Sequence, residues 1–187
     1  VLTSVSSKIQ HLDVSSNPQL TERTHDTSLL ESIMTALTQE TCSITSIDLS
    51  HCNIGDNDVT YIVDVLKNSS NKITHMNLEG NNILEQGTEK IMKGLTHMSC
   101  RITTFDFSVP PNESPEIQNK IADHMKDVLS HPLCIDVDST IDLSKLSIQL
   151  KLFRHPRNIS KLHKLECPRD HQLACYECKE TEIDCNV

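Results

Sequence analysis

ITSIDLSHCNI (44–54), ITHMNLEGNNI (73–83) and ITTFDFSVPPN (102–112) decide the fold of this 187-residue chain. Their first residues, Ile44, Ile73 and Ile102, are 29 positions apart each time. An earlier copy, IQHLDVSSNPQ, opens at Ile9, and a later one, STIDLSKLSI, spans 139–148. The same offsets carry Ile44, Ile47, Leu49, Cys52 and Ile54, then Ile73, Met76, Leu78, Asn81 and Ile83, and earlier Ile9, Leu12, Val14 and Asn17. A period of this size marks a stacked repeat architecture.

Each copy has two halves with different periods. Ile47-Asp48-Leu49 and Met76-Asn77-Leu78 alternate apolar and polar residues, as a short half-buried strand does. Val59, Ile62, Val63 and Leu66 recur at three and four, as do Ile117, Ile121, Met125, Val128 and Leu129, the stripe of a helix. Ser28 or Asp26 is placed to cap a helix carrying Leu29 to Leu37. Ser114-Pro115-Glu116 reads as a cap followed by Pro at the first helical position. The first copy carries six inserted residues, which lie within the stretch Pro18 to Thr27, a loop by composition. One strand and one helix cannot bury their own apolar side, so neighbouring copies must stack to do it. The stretch Cys134–Val137 is a second candidate strand, which would shift the register of the fifth copy; the gapless match of IDLSKLSI (141–148) to IDLSHCNI (47–54) favours 139–148.

The unit Ile73-x-x-Met76-x-Leu78-x-x-Asn81-x-Ile83, followed by Gly87, Ile91 and Leu95, resembles the leucine-rich repeat in its long, ribonuclease-inhibitor-like form. The resemblance covers about residues 8–148. It implies an α/β solenoid with parallel strands on a concave face, helices on the convex face, binding through the concave face and no intrinsic catalysis. Two positions depart from the pattern: Pro110 and Leu146 stand where Asn or Cys would satisfy backbone groups in the turn. A bulge is therefore expected at Val109-Pro110-Pro111. The expected division is a solenoid of about five repeats over 1–150, then a basic connector and a Cys/His-rich tail over 151–187.

On such a solenoid the polar strand residues face the concave side. One column would hold Asp13, Asp48, Asn77, Asp106 and Asp142, flanked by His11, Ser46, His75, Thr104 and Thr140, and by Ser15, Ser50, Glu79, Ser108 and Ser144. Parallel strands lie about 4.8 Å apart, so these carboxylates would repel one another and could dock a basic segment of a protein partner. The candidate contact residues are His11, Asp13, Asp48, His75, Asn77, Glu79, Asp106 and Asp142. Asp in an LDLS-type strand is also ordinary for this repeat and can be merely solvated. Carboxylates in a row can suggest acid/base chemistry, but an open sheet excludes no water and no nucleophile lies nearby, so the chain is read as not an enzyme.

After Leu152 the repeat signal stops. FRHPRNISKLHK (153–164) lacks Asp and Glu, and then come Cys167, His171, Cys175, Cys178 and Cys185. Cys175-x-x-Cys178 places two thiolates on one tight turn, and Cys167 with His171 would complete a tetrahedral zinc site. The spacing resembles part of a RING or B-box module of a ubiquitin ligase over about twenty residues. A redox pair, a disulfide cap and a disordered tail are the other readings of these residues. Cys42, Cys52, Cys100 and Cys134 near the strands are expected to be small packed thiols, which suits a reducing, cytoplasmic setting. Three glycosylation sequons, at Asn68, Asn112 and Asn158, pull the other way, but chance supplies that many in a chain so rich in Asn and Ser.

Composition narrows the classes. Net charge is −9, with 17 Lys plus Arg against 26 Asp plus Glu, which argues against nucleic acid and against a polybasic membrane surface. No run approaches the ~18 apolar residues of a membrane span. Aromatic residues are 3% of the chain, so the core must be aliphatic. The chain begins with Val and shows no signal peptide, and it is expected to be a fragment or processed product. The expected function is a protein-interaction scaffold. The alternatives are substrate recognition within a zinc-dependent ubiquitin ligase, or the sensor region of an immune receptor or bacterial effector.

Overall fold

The computed structural model describes residues 8–24, 26–110, 113–130, 134–136, 140–142 and 147–154. The chain divides into Val1–Arg154 and His155–Val187, and the second unit lies outside the described residues.

Four strand-and-helix units follow one another. They are β1 (His11–Asp13) with α1 (Leu29–Leu37), β4 (Ser46–Asp48) with α2 (Val59–Lys67), β5 (His75–Asn77) with α3 (Glu85–Leu95), and β6 (Thr104–Ser108) with α4 (Pro115–Ser130). The four strands are parallel and in order, paired through Leu12↔Ile47, Ile47↔Met76 and Met76↔Phe105. The repeat offsets read from sequence are therefore the sheet register. Each helix packs on the next, α1 on α2, α2 on α3 and α3 on α4. This is an α/β, leucine-rich-repeat-like fold, and its described buried residues form one core that is largely aliphatic. Ile47, Leu49, Met76, Leu78, Ile62, Leu66, Ile91 and Leu95 are all buried in it. Phe105 and Phe107 close its far end, their rings nearly parallel with centroids 6.0 Å apart.

Side-chain caps set the helix starts. Ser28 Oγ accepts from the Glu31 amide at 3.1 Å, as its spacing from Leu29 predicts. Ser114 Oγ accepts from the Ile117 amide at 3.4 Å ahead of Pro115. The start of α3 has no cap of its own. Asp56 of the preceding unit accepts from the Leu84 amide at 2.6 Å instead. A Cβ on Gly87 would lie 2.4 Å from that Asp56 oxygen, so this contact requires glycine.

The Asn/Cys position knits the units together. Asn81 Oδ1 accepts from the Cys52 and Ile54 amides at 2.9 and 3.1 Å, and Asn81 Nδ2 donates to the Leu49 and Leu78 carbonyls, both at 2.9 Å. The Cys52 thiol donates to the Val14 carbonyl at 3.1 Å, and Asn17 Nδ2 to the same carbonyl at 2.9 Å. The residue before this position is left-handed in each of the first three units: Ser16, His51 and Gly80 have φ of 57°, 56° and 66°.

Two expectations change. The extra segment of the first unit is more than a loop. Pro18–Thr21 is a 3-10 turn that buries Leu20, and β2 (Arg23–Thr24) pairs antiparallel with β3 (Thr27–Ser28). The second change concerns the fifth copy, which does not stack in parallel on β6. β7 (Cys134–Asp136) and β8 (Thr140–Asp142) both pair antiparallel with β9 (Ser147–Arg154), and β9 runs antiparallel to β6. Val109 corresponds in sequence to the residue that is left-handed in the first three units, a conformation that a β-branched side chain resists, and it does not adopt it; Pro110 replaces the Asn donor. The turn used by the other units is thus unavailable. Strand β6 runs on to Ser108, five residues against three in β4 and β5, with Val109 buried behind it.

Candidate protein-binding face

Alternation in the short strands separates two faces. Ile47, Met76 and Phe105 go inward, and the residues on either side of them go outward. Register places His11, Ser46, His75 and Thr104 in one outward line and Asp13, Asp48, Asn77 and Asp106 in the next. Seven of the eight candidate contact residues therefore lie on one open face, Glu79 just past the end of β5 among them and exposed. Asp142 does not join the line. It sits on β8, opposite Ser147 of β9, and its predicted place beside Asp106 is taken by Gln149.

The line is not a plain stack of repelling carboxylates. Asn77 Nδ2 donates to Asp48 Oδ2 at 3.1 Å, and Gln149 Nε2 donates to Asp106 Oδ1 at 2.8 Å. Acid and amide thus alternate from Asp48 onward. The first three side chains of the line also close their own strand ends, accepting from the amide two residues on: Ser15 to Asp13 at 2.9 Å, Ser50 to Asp48 at 2.8 Å and Glu79 to Asn77 at 3.0 Å. This local Asx bond explains why Asp and Asn recur there. The Ser15 hydroxyl and amide beside Asp13 hold its carboxyl below the usual carboxylate range. His75 shares a hydrogen bond with Thr74 Oγ1 at 2.8 Å, and His11 is exposed. Sequence reading missed Gln149. The signal was present in SIQLKLFR (147–154), whose apolar/polar alternation runs past three residues.

Cys42 and Cys52 are buried free thiols, and Cys100 is buried beside them in the same core. Burial pushes the Cys52 thiol up, keeping it a proton donor. The four zinc candidates, Cys167, His171, Cys175 and Cys178, lie outside the described residues. Among the described residues, no group of three His, Cys, Asp or Glu side chains is placed to hold a metal, and no helix is long and apolar enough to cross a membrane.

Parallel strands in a 29-residue register, an Asn/Cys ladder and helices on one face are the features of leucine-rich repeats, and the chain is similar to proteins that carry them. A leucine-rich-repeat family model matches residues 41–63. The chain is 36% identical over 93 residues to mouse NACHT, LRR and PYD domains-containing protein 4C, covering 49% of this chain and 9% of that protein. It is 28% identical over 95 residues to human NACHT, LRR and PYD domains-containing protein 6, covering 51% of this chain and 10% of that protein. The chain thus spans about a tenth of the length of these curated relatives. The ribonuclease-inhibitor-like form that the resemblance of the repeat unit implies is consistent with them. Among solved structures, actin-binding site 2 of leiomodin-1 superposes with a TM-score of 0.45 at 21% identity, covering 62% of this chain and 64% of that one.

Proposed function

We propose that the chain is a non-enzymatic recognition scaffold whose open sheet face is the concave face of a solenoid and the contact surface for a protein partner. The observation that carries this reading is the outward line Asp13, Asp48, Asn77 and Asp106 with its His11 and His75 flank, set on a rigid, in-register sheet. Rigid side chains at strand spacing suit an extended segment, and the acidic sign suits one bearing Lys or Arg. Asp48→Lys with Asp106→Lys is the test. A Lys/Arg-rich peptide titrated at low salt should bind the wild-type chain, and the double variant should bind weakly while keeping its thermal transition. Equal affinity of the two proteins at low salt removes this line as the contact surface.

A second reading, the repeat-bearing sensor region of a larger receptor, is supported by the two curated relatives, which carry NACHT and PYD domains beside their repeats. The sequence of the full transcript tests it, since a NACHT domain encoded in the same frame is what that reading requires. The buried thiols of Cys42 and Cys52 support residence in the reducing cytoplasm.

A further inference from the structure

We propose that the strands β7, β8 and β9 form a terminating cap, a reversed three-strand closure that ends the repeat array and blocks the β6 edge against a second copy of this chain. Within β6, Asp106 accepts from the Leu78 amide at 2.8 Å and the Thr104 amide donates to the Thr74 carbonyl at 3.0 Å, so these residues spend their backbone groups on the β5 side. Successive strand residues present backbone groups to opposite edges, so Phe105 and Phe107 direct theirs at β9, where their partners are Leu150 and Ile148. In a continuing array those groups would go to a fifth parallel strand. Val109-Pro110 denies the turn such a strand needs. An uncovered five-residue edge carrying two phenylalanines is a template for edge-to-edge pairing. The reversed strands remove that hazard: β9 covers all five residues of β6, β8 covers the far edge of β9 at 147–149, and β7 pairs with β9 at 152–154, past the end of β6.

The occupant the cap excludes is another β6. Two TFDFS strands (104–108) can pair antiparallel about their central Asp106, an isologous contact. Asp106 would then face Asp106, so the association should strengthen as salt rises. The Gln149 side chain also keeps Asp106 hydrogen-bonded, which a self-paired β6 would not.

Two measurements on the full chain test the cap, and neither needs the binding partner. Asp106 and Gln149 are directly opposite and form the non-hydrogen-bonded kind of pair, whose Cβ atoms come within disulfide reach. Asp106→Cys with Gln149→Cys should cross-link under mild oxidation, read by peptide mapping, and Asp106→Cys with Asp142→Cys should not. The second measurement breaks β9 with Ile148→Pro and Leu150→Pro. Circular dichroism should show the parallel units still folded, and sedimentation velocity should show a concentration-dependent dimer that grows with salt where the wild-type chain stays monomeric. Preferential linkage of the 106/142 pair overturns the reversed closure. A folded proline variant that sediments as a monomer throughout overturns its blocking role.

Discussion

Replacing Asn81 by Ala should be among the most costly single changes in the molecule, far out of proportion to the atoms removed. The side chain is 2% exposed. It alone accepts from the Cys52 and Ile54 amides, and it donates to two carbonyls, one in its own unit and one in the preceding unit. Alanine leaves two buried N–H groups without an acceptor. At about 1–3 kcal/mol for each orphaned group, the loss is about 2–6 kcal/mol. The two carbonyls keep a second lone pair and add less. For a chain of this size 1 kcal/mol is roughly 2–4 °C, so the transition should fall by roughly 10 °C. Asn17, at the matching position of the first unit, is the internal control. It donates to the Val14 and Ser15 carbonyls from an exposed site where water can replace it, so Asn17→Ala should cost under about 1 kcal/mol. Asn81→Cys, which restores a donor as at Cys52 but not the acceptor, should fall between wild type and Asn81→Ala. The assay is urea unfolding with the slope compared across variants. If Asn81→Ala costs no more than Asn17→Ala, the ladder does not hold the units together.

Leu78→Asp should cost several kcal/mol, because Leu78 is fully buried and the new carboxylate has no partner; an unchanged thermal transition would sink the shared-core account. Asn77→Asp should replace an amide donor to Asp48 with a third charge between Asp48 and Asp106. Like charges raise the folded-state pKa of the group they crowd, so this penalty is present at neutral pH and disappears as pH falls through that pKa. The difference from wild type in urea midpoint should be about 1 kcal/mol per crowded pair at pH 7 and near zero at about pH 3, shrinking with salt; a pH-independent difference contradicts it. The tail is predicted to bind one Zn²⁺ through Cys167, His171, Cys175 and Cys178. Metal content per chain of reduced, zinc-replete protein should be near one, and near zero for Cys175→Ser with Cys178→Ser, while the thermal transition of the repeats is unmoved by chelator; zinc-free wild-type protein ends this reading.

The repeats were legible because their information is redundant. Ile44, Ile47, Leu49, Cys52 and Ile54 recur as Ile73, Met76, Leu78, Asn81 and Ile83, and an offset that holds at five places fixes a register. The side of the sheet on which Asp13, Asp48, Asn77 and Asp106 lie follows from period-two alternation alone. What alternation cannot encode is strand direction. IDLSKLSI (141–148) matches IDLSHCNI (47–54) at the level of apolar pattern, yet Thr140–Asp142 ends up antiparallel to β9. The deciding residues lay thirty positions upstream, at Val109-Pro110, where the turn fails. That signal is visible in the sequence as a missing Asn, which by itself does not separate a bulge from a stop. The pairing of Asp48 with Asn77, and of Asp106 with Gln149, depends on which neighbours the register delivers, so composition alone suggested a row of bare charges.

The Cys52 thiol has a use that its place in the turn ladder creates. It is wholly buried, donates across to the Val14 carbonyl of the preceding unit, and is held protonated by burial. No alkylating reagent can reach the sulfur while β1 and β4 stay joined. Its labelling rate is therefore a clock for the separation of the first two units, native to the chain and needing no inserted probe. Compared with global unfolding by denaturant, that clock would show whether the array frays from its amino-terminal end or comes apart as one body.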